Sequence, residues 1–290
     1  MAGALSHGGV EHPAPQGFHW PEGKRLAVLF SVAYEGWSEG KWPGIGPMGN
    51  PLQSGHPDLN AFSWGEYGAR RGIWRILRRL ERQKLSASVM VCGVLAERYP
   101  ESVRAIADAG HEIVAHSYAM DVIPVTLNEA DERANIERTT ALIEKACGVR
   151  AKGWISPRGT PSPRTSRLLA EAGYEWHGDQ LDDDLPYLIE FGSRSIVALP
   201  FSMEVNDLPS HVRYGNAPRR MLEVFEDSLA AMRELDEEAL KIDATIHAHV
   251  FGRPPGLWVY ERIIEAARRA PDVWLGTHAE AAAHFRRVLG

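Results

Sequence analysis

Glu35 follows the apolar run LAVLFSVAY with no turn residue between, and His116 closes HEIVAH in the same way. A carboxylate and an imidazole at the ends of buried strands are groups that can take a proton from water or return one to a leaving atom. Further along come Arg158 in WISPRG, Asp179 in HGDQ, the run Asp182 to Asp184, Glu204 with Asn206 and Asp207, and His247 and His249 in ATIHAHVFG. Cys92 and His278 also follow strand-like runs. Acids, histidines and an arginine from separate strand ends make the mixture that amide hydrolysis uses: a base for water, an acid for the departing nitrogen, a cation for the oxyanion. His247 is the strongest single candidate, and His249 shares its face because strand side chains repeat every two residues. Each has a plainer reading. Three adjacent aspartates more often form a solvated loop, Arg158 could pair with a nearby acid, and His278 could lie on the surface.

Elements that could hold these residues alternate along the chain. RLAVLFSVAYEG reads as a strand, and a loop rich in Gly and Pro follows from Trp37 to about Asn60. Loops of that length are usually functional or disordered. EYGARRGIWRILRRLERQKL places Ile73, Ile76, Leu77 and Leu80 at helical spacing, with arginines opposite. SASVMVCG, HEIVAHS, AKGWISP, YEWHGDQ, SIVALPFS, KIDATIHAHVFG and VWLG read as further strands. Between them LAERYPESVRAIADAG, NEADERANIERTTALIEKACG, SPRTSRLLAEAG, PRRMLEVFEDSLAAMRELDEEA and GLWVYERIIEAARRA read as helices, with AEAAAHF a last one. Repeated strand and helix units imply a parallel sheet wrapped by helices, and about seven units suggest a barrel whose site lies at the C-terminal strand ends. The expected architecture is α/β, a distorted (β/α)7 barrel forming one domain over residues 24–290, preceded by an extended segment over residues 1–23.

Composition narrows the function classes. With 290 residues, 44% hydrophobic and 24% charged, the chain can bury a large core. A net charge of -6 and scattered basic pairs exclude nucleic acid as the main partner. Cys92 and Cys147 are far apart, so neither a zinc knuckle nor a disulfide scaffold is expected. No apolar run approaches the ~20 residues of a membrane span, and the first residues lack a secretory pattern, so a cytoplasmic location is expected.

HEIVAHSYAM resembles the second motif of the polysaccharide deacetylase (NodB-homology) family, His-Ser/Thr-x-x-His, and GWISPRG resembles its arginine-bearing third motif. GEYGARRGIWR, LAEAGYEW, DDDLPY, EVNDLP and IHAHVFGRP resemble a branch with metal-independent allantoinases, cyclic imide hydrolases and a cytoplasmic-type peptidoglycan deacetylase. The resemblance runs from about Lys24 onward and implies the distorted seven-stranded barrel. It also implies that Glu35, His116, Arg158, Asn206, Asp207 and His247 line the pocket. Glu35, His116, Arg158 and His247 are expected to be catalytic. Tyr34, Trp37, Asp183, Glu204, Asn206, Asp207 and His249 are expected to contact substrate. The family holds its metal with a first-motif aspartate and two second-motif histidines. Here Met120 stands at the second histidine, leaving Glu35 and His116 if a metal is bound. A thioether is a poor zinc ligand, so no cofactor is favoured and zinc remains the alternative.

The expected activity is hydrolysis of a carbon-nitrogen bond in a small cyclic amide, ureide or imide. Glu35 or His247 would activate water, Arg158 would hold the oxyanion and His116 would protonate the nitrogen. A zinc-dependent N-deacetylase of an amino sugar polymer is the second reading, and a catalytically altered small-molecule-binding homologue the third. The resemblance further implies a homo-oligomer, dimer or tetramer.

Overall fold

The computed structural model describes residues 15, 17–49, 52, 55–237 and 239–290. Most of the expected segment over residues 1–23 lies outside them. Its described end, however, packs on the body: Phe18 and Trp20 are buried, Trp20 stacks on Trp274, and its indole N–H donates to the Leu240 carbonyl at 2.9 Å.

The first strand, β1 (Leu26–Tyr34), shows how the pattern becomes a fold. All nine residues are buried, so the run is apolar on both faces, as in a strand covered from both sides. Val28, Phe30, Val32 and Tyr34 join the large cluster under the helices, whereas Ala27, Leu29 and Ala33 join a second cluster on the opposite face of the sheet. Glu35 has the parity of Ala33, so it continues the inner row.

Around β1 lie β2 (Ser88–Val91), β3 (Glu112–Ala115), β4 (Gly153–Trp154), β5 (Trp176–His177), β6 (Tyr187–Phe191), β7 (Arg194–Ala198), β8 (Val205–Asn206), β9 (Leu240–His247) and β10 (Val273–Gly276). They form one sheet in the order β6, β7, β5, β4, β3, β2, β1, β9, β8. β10 adds beside the first half of β1, pairing Leu26 with Val273 and Leu29 with Gly276. Every pairing is parallel except the β6–β7 hairpin. The sequence reading misses β6, because its polar flank DDDLP masks a strand that turns back through Gly192. The sheet curls until residues from β1, β2, β8 and β9, with Ile155 just past β4, border one cavity, which a flat sheet could not do. This is the distorted barrel of the expected class, with its ladder open between β8 and β6.

The covering helices are α1 (Leu59–Tyr67), α2 (Ile73–Gln83), α3 (Gly93–Arg98), α4 (Pro100–Asp108), α5 (Glu129–Cys147), α6 (Thr165–Glu171), α7 (Arg220–Glu234), α8 (Pro254–Arg269) and α9 (His278–Leu289). In α2 the buried residues are Ile73, Ile76, Leu77 and Leu80, the stripe set by their spacing. Pro100 divides one expected helix into α3 and α4, since proline favours a first turn and not an interior. α5 starts on Asn128, whose side chain accepts from the Asp131 N–H, and stops at Gly148 with φ 75°. A π-helical turn, Gly68–Gly72, joins α1 to α2. Gly72 there presses against the Ala248 carbonyl, where a β-carbon would overlap the backbone. No helix among the described residues is long and apolar enough to cross a membrane.

Candidate active site

The site begins with Glu35. The strand delivers its carboxylate into the barrel mouth with 7% of the residue exposed. Three imidazoles surround it. His116 Nε2 lies 3.7 Å and His247 Nε2 3.5 Å from Oε1, while His249 Nδ1 lies 3.9 Å from Oε2.

Each histidine is held differently. His116 Nδ1 meets the Ile155 carbonyl at 2.5 Å, and because a carbonyl only accepts, the proton belongs on Nδ1 and Nε2 faces Glu35. After it the chain bends through Ser117 at φ 59°, a left-handed value in a non-glycine residue. The Asn135 side chain locks that bend by accepting from Tyr118 N–H and donating to Ser117 Oγ. His247 Nδ1 donates to Asp207 at 2.6 Å, and Asp207 also accepts from the backbone N–H groups of His247 and Phe251. His249 stands edge-on to Trp64 and Trp37, with centroids 4.5 and 5.5 Å away, and its Nδ1 has no hydrogen-bond partner.

These surroundings separate the protonation states. Burial works against charge on both Glu35 and His247, yet each charge holds the other. His247, between the Glu35 and Asp207 carboxylates, is pushed up to about 10, and Glu35 is held well below the usual carboxylate range by His247 and His116. Burial drives His249 down to about 3, which leaves it neutral. The result is one carboxylate, one imidazolium and one neutral imidazole around a shared point.

Arg158 reaches the mouth from the turn after β4, at φ 61°. Asp179 holds that turn, accepting from Ser156 N–H at 2.6 Å and from Ser156 Oγ at 2.7 Å. Burial raises Asp179 to about 6, against the lowering effect of those bonds. Strain at two turns that both border the pocket fits a functional site.

The mouth has two lobes that meet at Glu35. One, about 390 Å³, is bordered by His116, His247, Asn206, Ile155, Phe201 and Met203. The other, about 530 Å³, is bordered by Trp37, Trp42, Trp64, Pro43, Ile45 and His249. Arg158, Arg213, Met120 and Leu208 border both.

Several sequence expectations meet a different placement. Tyr34 faces the helix layer with its hydroxyl 2.8 Å from Ser102 Oγ, because a residue next to Glu35 on one strand must point the other way. Asp183 is exposed and caps the Leu185 N–H, and Glu204 is exposed outside both lobes. Asp207 touches His247 in place of the pocket. Cys92 is buried and its thiol, pushed well up by burial, donates to the His116 carbonyl. His278 is neither on the surface nor in the site: it is buried between Ser88 Oγ and Asp243 Oδ1, at 2.9 and 2.8 Å. Trp37, Asn206 and His249 do border the lobes. Sequence reasoning missed Arg213, which sits at the end of the π-helical turn Leu208–Arg213, where neither strand nor α-helix periodicity applies. Trp42 and Trp64 are pocket walls.

Zinc requires about three protein donors some 2.0–2.1 Å from one point. Among the described residues no group of three or more His, Cys, Asp or Glu is so placed. His116 and His247 address one oxygen of Glu35 and His249 the other, while Met120, which stands in sequence where the second motif has its second histidine, lines the pocket with a thioether. The donor set does not fit zinc.

Comparison with known proteins agrees with this architecture. The family described as Polysaccharide deacetylase matches residues 65–177. A peptidoglycan deacetylase of Helicobacter pylori is 25% identical over 298 residues, covering 90% of this chain and 97% of that one. A probable polysaccharide deacetylase from Pseudomonas aeruginosa PAO1 superposes with a TM-score of 0.83 at 28% identity, covering 93% of each chain. The PuuE allantoinase structure superposes with a TM-score of 0.81, also at 28% identity and 93% of each chain. A polysaccharide deacetylase match over residues 65–177, a shared barrel and similarity over nearly the whole length to deacetylases and an allantoinase indicate a hydrolase acting on carbon-nitrogen bonds.

Proposed function

We propose that the protein hydrolyses the carbon-nitrogen bond of a small cyclic amide, ureide or imide without a metal. The observation that carries this reading is the buried pair of Glu35 and His247, held in opposite charge states 3.5 Å apart. Glu35 takes a proton from water as the oxygen attacks the carbonyl carbon, and His116 Nε2 orients that water. Arg158 stabilises the oxyanion. His247 then gives its Nε2 proton to the nitrogen as the C–N bond breaks, and Asp207 keeps the imidazole oriented throughout. The proton that Glu35 gained returns to His247 through the departing product or solvent. The sequence reading expects His116 to protonate the nitrogen; the two carboxylates on His247 favour His247 for that role. Similarity to the PuuE allantoinase supports a ring substrate.

A second reading, N-deacetylation of an amino sugar polymer, is favoured by the similarity to the Helicobacter pylori peptidoglycan deacetylase. Hydrolysis assays with allantoin, hydantoin, dihydrouracil, succinimide and N-acetylglucosamine oligomers, run after chelation and again with zinc, separate the two. Ring opening that survives chelation is expected. Release of acetate from the oligomers only with zinc would replace the first reading by the second.

A further inference from the structure

The two lobes are unequal in chemistry and too large together for a single small ring. A five-membered ring amide has fewer than about ten heavy atoms, yet the lobes measure about 390 and 530 Å³, a range in which one lobe alone matches a usual ligand pocket. The smaller lobe holds the groups that move protons. The larger holds three half-buried indoles, those of Trp37, Trp42 and Trp64, with Pro43 and Ile45 beside them.

His249 stands at the boundary. It is 1% exposed, clamped edge-on by Trp37 and Trp64, and its Nδ1 has no partner although it faces Glu35. A buried polar atom left unpaired costs free energy, so such an atom at a pocket wall marks a contact completed by a ligand. The atom it would meet lies next to the scissile bond, since Glu35 is 3.9 Å away. Whatever continues from that atom, away from the catalytic lobe, enters the space between the indoles.

We propose that the substrate has two parts: a ring amide seated against Glu35 and His247, and an aryl or heteroaryl substituent stacked in the tryptophan lobe, with His249 Nδ1 hydrogen-bonded to the ring atom that joins them. This rests on the ring-amide reading above and names the substrate class more narrowly. Indole faces carry a negative quadrupole and favour flat partners in offset or edge-on contact, which an alkyl group of equal size does not reproduce. Arg158 and Arg213, bordering both lobes, span the junction.

The test compares hydantoin with 5-benzylhydantoin, 5-(indol-3-ylmethyl)hydantoin and 5-(cyclohexylmethyl)hydantoin. The aryl compounds are expected to exceed hydantoin and the cyclohexyl compound in kcat/KM by about tenfold, the size of one good aromatic contact. Trp64→Leu should reduce that preference to near unity. Binding is read separately on Glu35→Gln by quenching of indole fluorescence, so that the lobe is examined whether or not rings open. Tight binding of the aryl compounds with no ring opening in the unsubstituted enzyme would support the lobe and sink the ring-amide reaction. Ring opening with equal kcat/KM for all four compounds, or a cyclohexyl group as good as benzyl, would overturn the aryl proposal and leave the reaction standing. Neither quenching nor turnover with any of them would overturn the proposal outright.

Discussion

Glu35 Oε1 and His247 Nε2 face each other across 3.5 Å in the barrel mouth, and Asp207 holds the far nitrogen of the same imidazole at 2.6 Å. The line from Asp207 through His247 to Glu35 stores a proton between two buried carboxylates. Removing Asp207's charge should therefore change the acid and not the base. Asp207→Asn is expected to lower kcat about a hundredfold and to move the alkaline limb of the rate profile downward. An unchanged limb would mean that His247 is not the proton donor.

The pH dependence follows from the same pair. His247 lies above its ordinary value, so its contribution to stability is complete below 6.5 and is lost as pH rises through about 10. Glu35 lies below its ordinary value, so its contribution is present above 4.5 and is lost as pH falls through its folded value. Activity that needs ionised Glu35 and protonated His247 should hold a broad plateau and fall near pH 10. A profile centred on a single group near 6.5 would contradict this assignment.

Glu35→Gln keeps the shape and removes the base. The kcat should fall by about 10²- to 10⁴-fold while the circular dichroism spectrum stays that of the parent. Residual activity within a few-fold of the parent would assign the base elsewhere.

Metal content is checked by elemental analysis beside the assay. Less than stoichiometric zinc and full activity after chelation are expected, because among the described residues no three donors are placed to hold one ion and Met120 supplies only a thioether. One tightly held zinc per chain would require a rearranged site.

Beneath the site, Lys241 and Asp243 form a buried pair at 2.7 Å on the inner face of β9. Lys241→Met leaves Asp243 charged in the interior, although His278 and Ser202 still bond it. A loss of about 3 kcal/mol in urea unfolding is expected, since breaking a buried pair by removing one partner is costly. A change below about 0.5 kcal/mol, the scale of an ordinary surface substitution, would show that the remaining bonds suffice.

Much of this protein is legible from residue order because strands and helices have fixed periods. The buried run of β1, the stripe of α2 and the stop at Gly148 are local consequences of apolar spacing and glycine's freedom at positive φ. Strand parity puts Glu35 on the inner row and, applied to Tyr34 beside it, would have turned Tyr34 outward, whereas His249 comes beside His247 through the turn after β9 and not through strand parity. What only the tertiary structure decided is which groups meet across the curled sheet. Asp207 precedes His247 by forty residues, and only the parallel pairing of β8 with β9 sets its carboxylate under that imidazole. Arg213 and the three indoles reach the mouth from irregular segments or from a helix delivered by a long loop, where no period foretells direction. Charge states follow last, because burial and neighbouring charge, which move His247 and His249 in opposite directions, exist only once the chain has closed around them.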